Sequence, residues 1–185
     1  MLYEIRPENI LFLDIETVPQ CRTLEEAEPA LKKLWEEKFQ KLQNKRPGEE
    51  TAEKAWRSAG IYAEFGRIIC ICVGAYNKGK FFSKAFAGDD EMKILTDFSE
   101  MLGRSWNRSD AKLCAHNGKE FDFPYIARRM LIGGMRLPSL LNLAGRKPWE
   151  VPLLDTMELW KFGDYKSYTS LNLLATVLGV PTPKD

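Results

Sequence analysis

Ile10-Leu11-Phe12-Leu13-Asp14-Ile15-Glu16-Thr17 is the stretch whose reading decides the fold. Four apolar residues run into an acid, then an apolar residue, then a second acid. An uninterrupted apolar run reads as a strand covered on both faces, here over about residues 9–14. Alternate residues of a strand point to one side. Asp14 and Glu16 are therefore expected as neighbouring carboxylates at the end of a core strand. Buried like charges repel and lose hydration, a cost that a cation between them removes. The pair reads as part of a divalent-metal site built from hard oxygen ligands. The plainer alternative is a strand emerging into a polar loop.

Outward from this strand, residues 22–59 read as a helical insertion. Glu25 to Asn44 is dense in Glu, Lys and Leu, with Leu31, Leu34, Trp35 and Leu42 as its apolar stripe. Pro29 suits a first helical turn, and Pro47-Gly48 breaks the pattern. A shorter helix carries Ala52 to Ala59. Arg67 to Ala75 is a strongly apolar strand, and Lys80 to Ala87 is a second one across an Asn77-Lys78-Gly79 turn. That arrangement reads as an antiparallel hairpin.

Asp89 and Asp90 open a helix whose apolar residues Ile94, Leu95, Phe98, Met101 and Leu102 share one face, with Gly103 as its stop. Lys112 to Ala115 is a short strand, and a helix follows over about Phe123 to Leu131. Residues 135–150 read as loop, Val151 to Leu154 as a last strand, and Thr156 to Lys161 as a helix capped by Asp155. Ser170 caps a final helix through Leu178. Alternating strands and helices with one hairpin make an α/β fold with a mixed sheet.

The bulk composition narrows the function classes without choosing among them. A chain of 185 residues, 44% hydrophobic and 29% charged, reads as one globular domain. Its 27 Lys and Arg against 26 Asp and Glu leave partner choice to local patches. There is no membrane-length apolar run and no signal-peptide pattern, and a cytoplasmic location is expected. Cys21, Cys70, Cys72 and Cys114 form no C-x-x-C pair. The last three lie in apolar runs and read as buried thiols rather than disulfides or zinc ligands.

The second constellation is His116-Asn117-Gly118-Lys119-Glu120-Phe121-Asp122-Phe123-Pro124-Tyr125-Ile126. A strand ends, Asn117-Gly118 turns the chain, and Asp122 stands where a helix begins; Pro124 is tolerated only in a first helical turn. Asp122 reads either as an N-cap or as a third acid at the end of a second core strand. His116 reads as a strand-end residue.

Taken together, these motifs resemble the DEDD-type 3′–5′ exonucleases of the ribonuclease-H-like fold. The likeness is strongest to the exonuclease family related to the proofreading domain of family-B DNA polymerases. Asp14-Ile15-Glu16-Thr17 is similar to that family's first motif, and Asn117 through Ile126 to its second. Phe65-Gly66-Arg67-Ile68, Asp155-Thr156 and Ser170-Leu171 add to the likeness. The resemblance implies a ribonuclease-H-like mixed sheet with one antiparallel hairpin, helices on both faces and the helical insertion after the first strand. It implies that Asp14, Glu16, Asp122 and one further aspartate hold two Mg²⁺ or Mn²⁺ ions, and that nucleoside monophosphates leave the 3′ end of a single strand, with DNA as the first expectation and RNA as the alternative. Thr17, Asn117 and Phe121 are implied as substrate contacts, Phe121 with core packing as its alternative.

The family's third motif, Tyr-x-x-x-Asp or His-x-x-x-x-Asp, has no counterpart after Asp122. The later aspartates are Asp155, Asp164 and Asp185, and none carries the partner residue. The expectation is therefore a single exonuclease-like domain lacking its last helix, with weak metal binding and impaired hydrolysis. Two rival readings stand beside it. One is a catalytically silent, nucleic-acid-binding module, with Arg128, Arg129, Arg136, Arg146 and Lys147 as a phosphate-binding surface. The other is a phosphatase similar to the haloacid dehalogenases, whose Asp-x-Asp-x-Thr motif Asp14 to Val18 approaches, with Glu16 the misfit.

Overall fold

The computed structural model describes residues 5–44, 51–147, 150–164, 166 and 168–181. The Pro47-Gly48 break and Asp185 lie outside the described residues. Five strands form one sheet in the order β3-β2-β1-β4-β5: β1 (Ile10–Pro19), β2 (Gly66–Asn77), β3 (Lys80–Ala87), β4 (Lys112–Ala115) and β5 (Leu153–Asp155). β2 runs antiparallel to both β1 and β3, whereas β4 runs parallel to β1 and β5. The helices are α1 (Pro29–Gln43), α2 (Ala52–Trp56), α3 (Glu91–Ser105), α4 (Asp122–Ile132), α5 (Thr156–Lys161) and α6 (Leu171–Val177). They lie on both faces of this mixed sheet, with the helical insertion between β1 and β2, as the sequence predicts.

Alternation along the strands sets the main core. Leu11, Leu13 and Ile15 of β1 and Ile71 and Val73 of β2 are buried against Ile94, Leu95, Phe98 and Leu102 of α3 and Phe123, Ile126 and Met130 of α4. The insertion has an apolar cluster of its own, built on Trp35, Trp56, Phe65, Leu24 and Phe39. The Trp35 and Trp56 rings meet edge to face at 5.4 Å. Their indole N–H groups donate to the carbonyls of Ala52 and Cys21.

Several sequence expectations are corrected here. β1 does not stop at Asp14 but continues to Pro19, with an irregularity in its pairing between Glu16 and Thr17. It is covered on both faces only near its start, where Ile10 and half-buried Phe12 pack with Cys114 and Leu154. Asp14 and Glu16 are exposed, so the predicted burial cost does not fall on them. α3 runs through Gly103 to Ser105, because the exposed position of Gly103 meets no steric stop. Cys70 is only half-buried and Cys72 is exposed, because their side of the sheet is open there.

Arg129 is likewise not a surface residue. It is 7% exposed, and its guanidinium donates to both Glu91 carboxylate oxygens, at 2.9 and 2.6 Å, and to the Ala63 carbonyl at 2.9 Å. Glu91 in turn accepts the Ile68 N–H at 2.7 Å, so one ion pair ties α4, α3 and β2 together. Arg129→Ala would leave Glu91 buried without its counter-charge. The expected loss is about 3–5 kcal/mol of unfolding free energy in urea titrations; a loss below about 1 kcal/mol, as for an exposed pair, would contradict this account.

Candidate functional site

β4 ends at Ala115 and pairs with β1 only from Ile10 to Phe12. Farther along β1, the N–H groups on that side need another acceptor. Ile15 finds it in Asp122, whose Oδ1 accepts its N–H at 3.1 Å. Asp122 is the first residue of α4, preceded by Phe121 at the cap position, and makes this long-range bond rather than serving as the N-cap. It is 3% exposed. The bond sets its carboxylate against β1 between Asp14 and Glu16 in sequence. Burial, then the charge of Asp14, push the Asp122 carboxyl up to about 7, with Asp155 adding to the effect from β5.

The loop from β4 to α4 is held from below by Asp155. Its carboxylate is 2% exposed and accepts the N–H groups of Asn117 at 2.9 Å, Lys119 at 3.1 Å and Met157 at 2.9 Å. The Met157 bond is the predicted cap of α5; the other two anchor the turn that delivers Asp122. Asn117 adopts a left-handed φ of 61°. At Gly118 a Cβ would come within 2.4 Å of the Ala115 side chain, which explains the glycine. His116 bridges the Thr156 hydroxyl and the Thr169 carbonyl, at 2.9 Å each, and joins the same assembly to the α5–α6 connection. The sequence marks Asp155 as a cap and as part of the family likeness, but not as the anchor of this loop, because its bonds to Asn117 and Lys119 cross 38 and 36 residues of chain.

The other implied contacts are placed as follows. Thr17 meets the Tyr125 phenol by a side-chain hydrogen bond, while that phenol donates to the Gly60 carbonyl at 2.7 Å. Asn117 Oδ1 is buried and has no hydrogen-bond partner. Phe121 is half-buried against the core, its ring 5.4 Å from that of Tyr125. At the irregularity after Glu16 the register slips by one residue of β2: Glu16 is opposite Cys70 and Thr17 opposite Ile68, so Ile69 is the extra residue. A cavity of about 610 Å³ lies elsewhere, between α4 and residues 137–153, lined mainly by apolar side chains with Lys119, Arg128 and Glu158 among them.

The donor set is chemically suited to a hard divalent cation: carboxylate oxygens only, with the Asp14–Asp122 repulsion as the cost such an ion would remove. Among the described residues, however, no three His, Cys, Asp or Glu side chains are gathered closely enough to hold a metal as they stand. The candidate site consists of Asp122 under the influence of the Asp14 charge, with Glu16 two residues farther along the strand.

A family model described as RNase H superfamily matches residues 58–185, more than half of the chain. The match includes Asp122 and Asp155 and begins after Asp14 and Glu16. No curated protein matches the sequence. Among solved structures, the fold is similar to that of the family B DNA polymerase from the hyperthermophilic archaeon Pyrobaculum calidifontis, with a TM-score of 0.50 and 13% identity over 96% of this chain. The chain spans 19% of that polymerase's length, and at this identity the likeness concerns the fold alone. Among the described residues no helix is long and apolar enough to cross a membrane.

Asp122 gives the site a pH signature. Its folded pKa of about 7 lies above the ordinary carboxyl value of 3.8, so the folded chain holds this proton more tightly than the unfolded one. Its contribution to stability is therefore greatest at low pH and falls as pH rises from about 4 through about 7. Asp122→Asn keeps an acceptor for Ile15 and removes the titration. The variant is expected to gain on the native chain in urea midpoint between pH 4 and pH 8, and a difference independent of pH would count against the raised pKa that burial and the neighbouring charges give Asp122.

Proposed function

We propose, from the premise that the chain belongs to the RNase H superfamily, that it is a metal-dependent 3′–5′ exonuclease of the DEDD type acting on single-stranded nucleic acid, DNA in preference to RNA. The observation that carries this reading is the Asp122–Ile15 hydrogen bond, which brings an acid from the second motif against the strand that bears Asp14 and Glu16. Asp14, Glu16 and Asp122 would hold Mg²⁺ or Mn²⁺. A divalent ion in such a place supplies charge for the phosphodiester oxygens and an acidified water.

The chain's own residues supply the rest. Asp155 fixes the Asn117–Lys119 backbone, so Asp122 is presented without a reorganisation cost at the moment of reaction. Asn117 lies in the turn that delivers Asp122 and would contact substrate through that position. Thr17 and Phe121 would be the further substrate contacts, Phe121 by stacking its ring on a base with the half of it that is not packed on the core. Removal of a 3′ nucleotide from a strand end is the reaction this reading assigns, and the fold shared with a family B DNA polymerase is compatible with it. No aspartate after Asp122 in this sequence carries the third motif's Tyr or His, so weak metal binding and slow turnover are expected of these 185 residues.

A second reading, a binding module without turnover, is favoured by the lack of three gathered ligands among the described residues. The two separate in one assay with a 3′-labelled single strand and Mn²⁺. The exonuclease reading expects slow release of nucleoside monophosphates, cut about 100-fold or more by Asp14→Asn or Asp122→Asn. Equal rates in these variants would sink it, whereas salt-sensitive binding with no metal-dependent release would leave the binding module.

A further inference from the structure

We propose that Cys70 and Cys72 form the two-sulfur bite of a soft-metal site on the open face of the sheet, suited to Zn²⁺ or Cd²⁺. Two residues apart on β2, they point to the same side, and their Sγ atoms lie 3.5 Å from each other. Zinc binds thiolate sulfur at about 2.3 Å, so a separation of 3.5 Å corresponds to an S–Zn–S angle of about 100°, close to tetrahedral. The pair has the spacing of two ligands of one ion before any ion arrives.

A disulfide fits the same pair less well. Alternate Cα atoms of a strand stand about 6.6 Å apart, at the upper edge of the range a disulfide spans. Closing the bond would bend β2 out of pairings it makes on both sides. Cys70 is opposite Glu16 and Ala87, and Cys72 is opposite Asp14 and Ala85. An ion bridges the gap with the strand left extended.

The surroundings supply what the sulfurs lack. Asp14 and Glu16 share this face from the neighbouring strand; burial, the Cys72 thiol and then these two charges push the Cys70 thiol up to about 11, so a metal must displace its proton on binding. The two carboxylates offer oxygen donors for the remaining positions, with water as the alternative, and a carboxylate must turn toward the sulfurs because no three ligands are gathered beforehand. On the other flank, Ala85 and Ala87 are small and exposed and leave the approach to Cys72 open. Sulfur donors select a softer ion than the oxygen set of Asp14, Glu16 and Asp122 does. As each sulfur binds, its proton passes to solvent, and no electron is transferred.

The test is a titration of the whole chain with Cd²⁺ alone, read by sulfur-to-metal charge-transfer absorption. The absorption is expected to saturate at one ion per chain, to be displaced by Zn²⁺, to disappear in Cys72→Ser and Cys70→Ser, and to persist in Cys21→Ser. Cys72 is exposed, so its serine variant should melt like the native chain and report on binding rather than folding. A band that survives Cys72→Ser, or the lack of any saturating band in the native chain, overturns the proposal. Neither result depends on whether the chain cleaves nucleic acid.

Discussion

The hydrogen bond from the Ile15 N–H to Asp122 Oδ1 is the contact on which the site depends. It exists because β4 is short: past Phe12, the edge of β1 on that side has run out of strand partners. A backbone donor there must be satisfied, and the first residue of α4 does so with a carboxylate. One geometric need of the sheet thus draws an acid into a nearly dry position beside a second acid. The raised pKa of Asp122 is the electrostatic consequence, and a bound cation is the natural relief.

What keeps that contact in place is a buried framework on the far side of the turn. Asp155 collects three backbone N–H groups, two from the loop that delivers Asp122 and one from α5. Arg129 and Glu91 lock the middle of α4 to α3 and β2. Tyr125, one turn into α4, reaches the Gly60 carbonyl, and Gly66 must remain a glycine because a Cβ there would meet the Tyr125 oxygen. The insertion, with its own tryptophan-centred cluster, is thereby fastened to the helix that carries Asp122. A perturbation in the insertion has a short physical route to the site.

The two faces of β1 have opposite characters. Leu11, Leu13 and Ile15 are sealed under α3 and α4, whereas Asp14 and Glu16 look onto an open face shared with Cys70 and Cys72. Hard oxygen donors and soft sulfur donors therefore stand side by side on adjacent strands, which permits two kinds of metal chemistry on one surface. Superfamily membership agrees with a nuclease framework. The particular ligands belong to the proposal, because the fold tolerates many sites.

Much of this was written in the sequence. The alternation of strand and helix patterns, the hairpin at Asn77-Lys78-Gly79, the insertion and the caps at Asp90 and Asp155 are local signals, and local signals survive in a string of residues. The spacing of Asp14, Glu16 and Asp122 likewise marked the candidate acids. Burial and long-range pairing are different in kind, since they depend on which elements stop early and what covers them. That Asp14 and Glu16 are exposed while Asp122 is dry, that Asp155 holds the neighbouring loop, that Arg129 is a buried counter-ion rather than a phosphate contact, and that Cys70 and Cys72 are accessible were all decided by tertiary structure. The chain's residue pattern determined which side chains could act; the short β4 and the uncovered face of β1 and β2 determined which of them are brought together and which of them meet solvent.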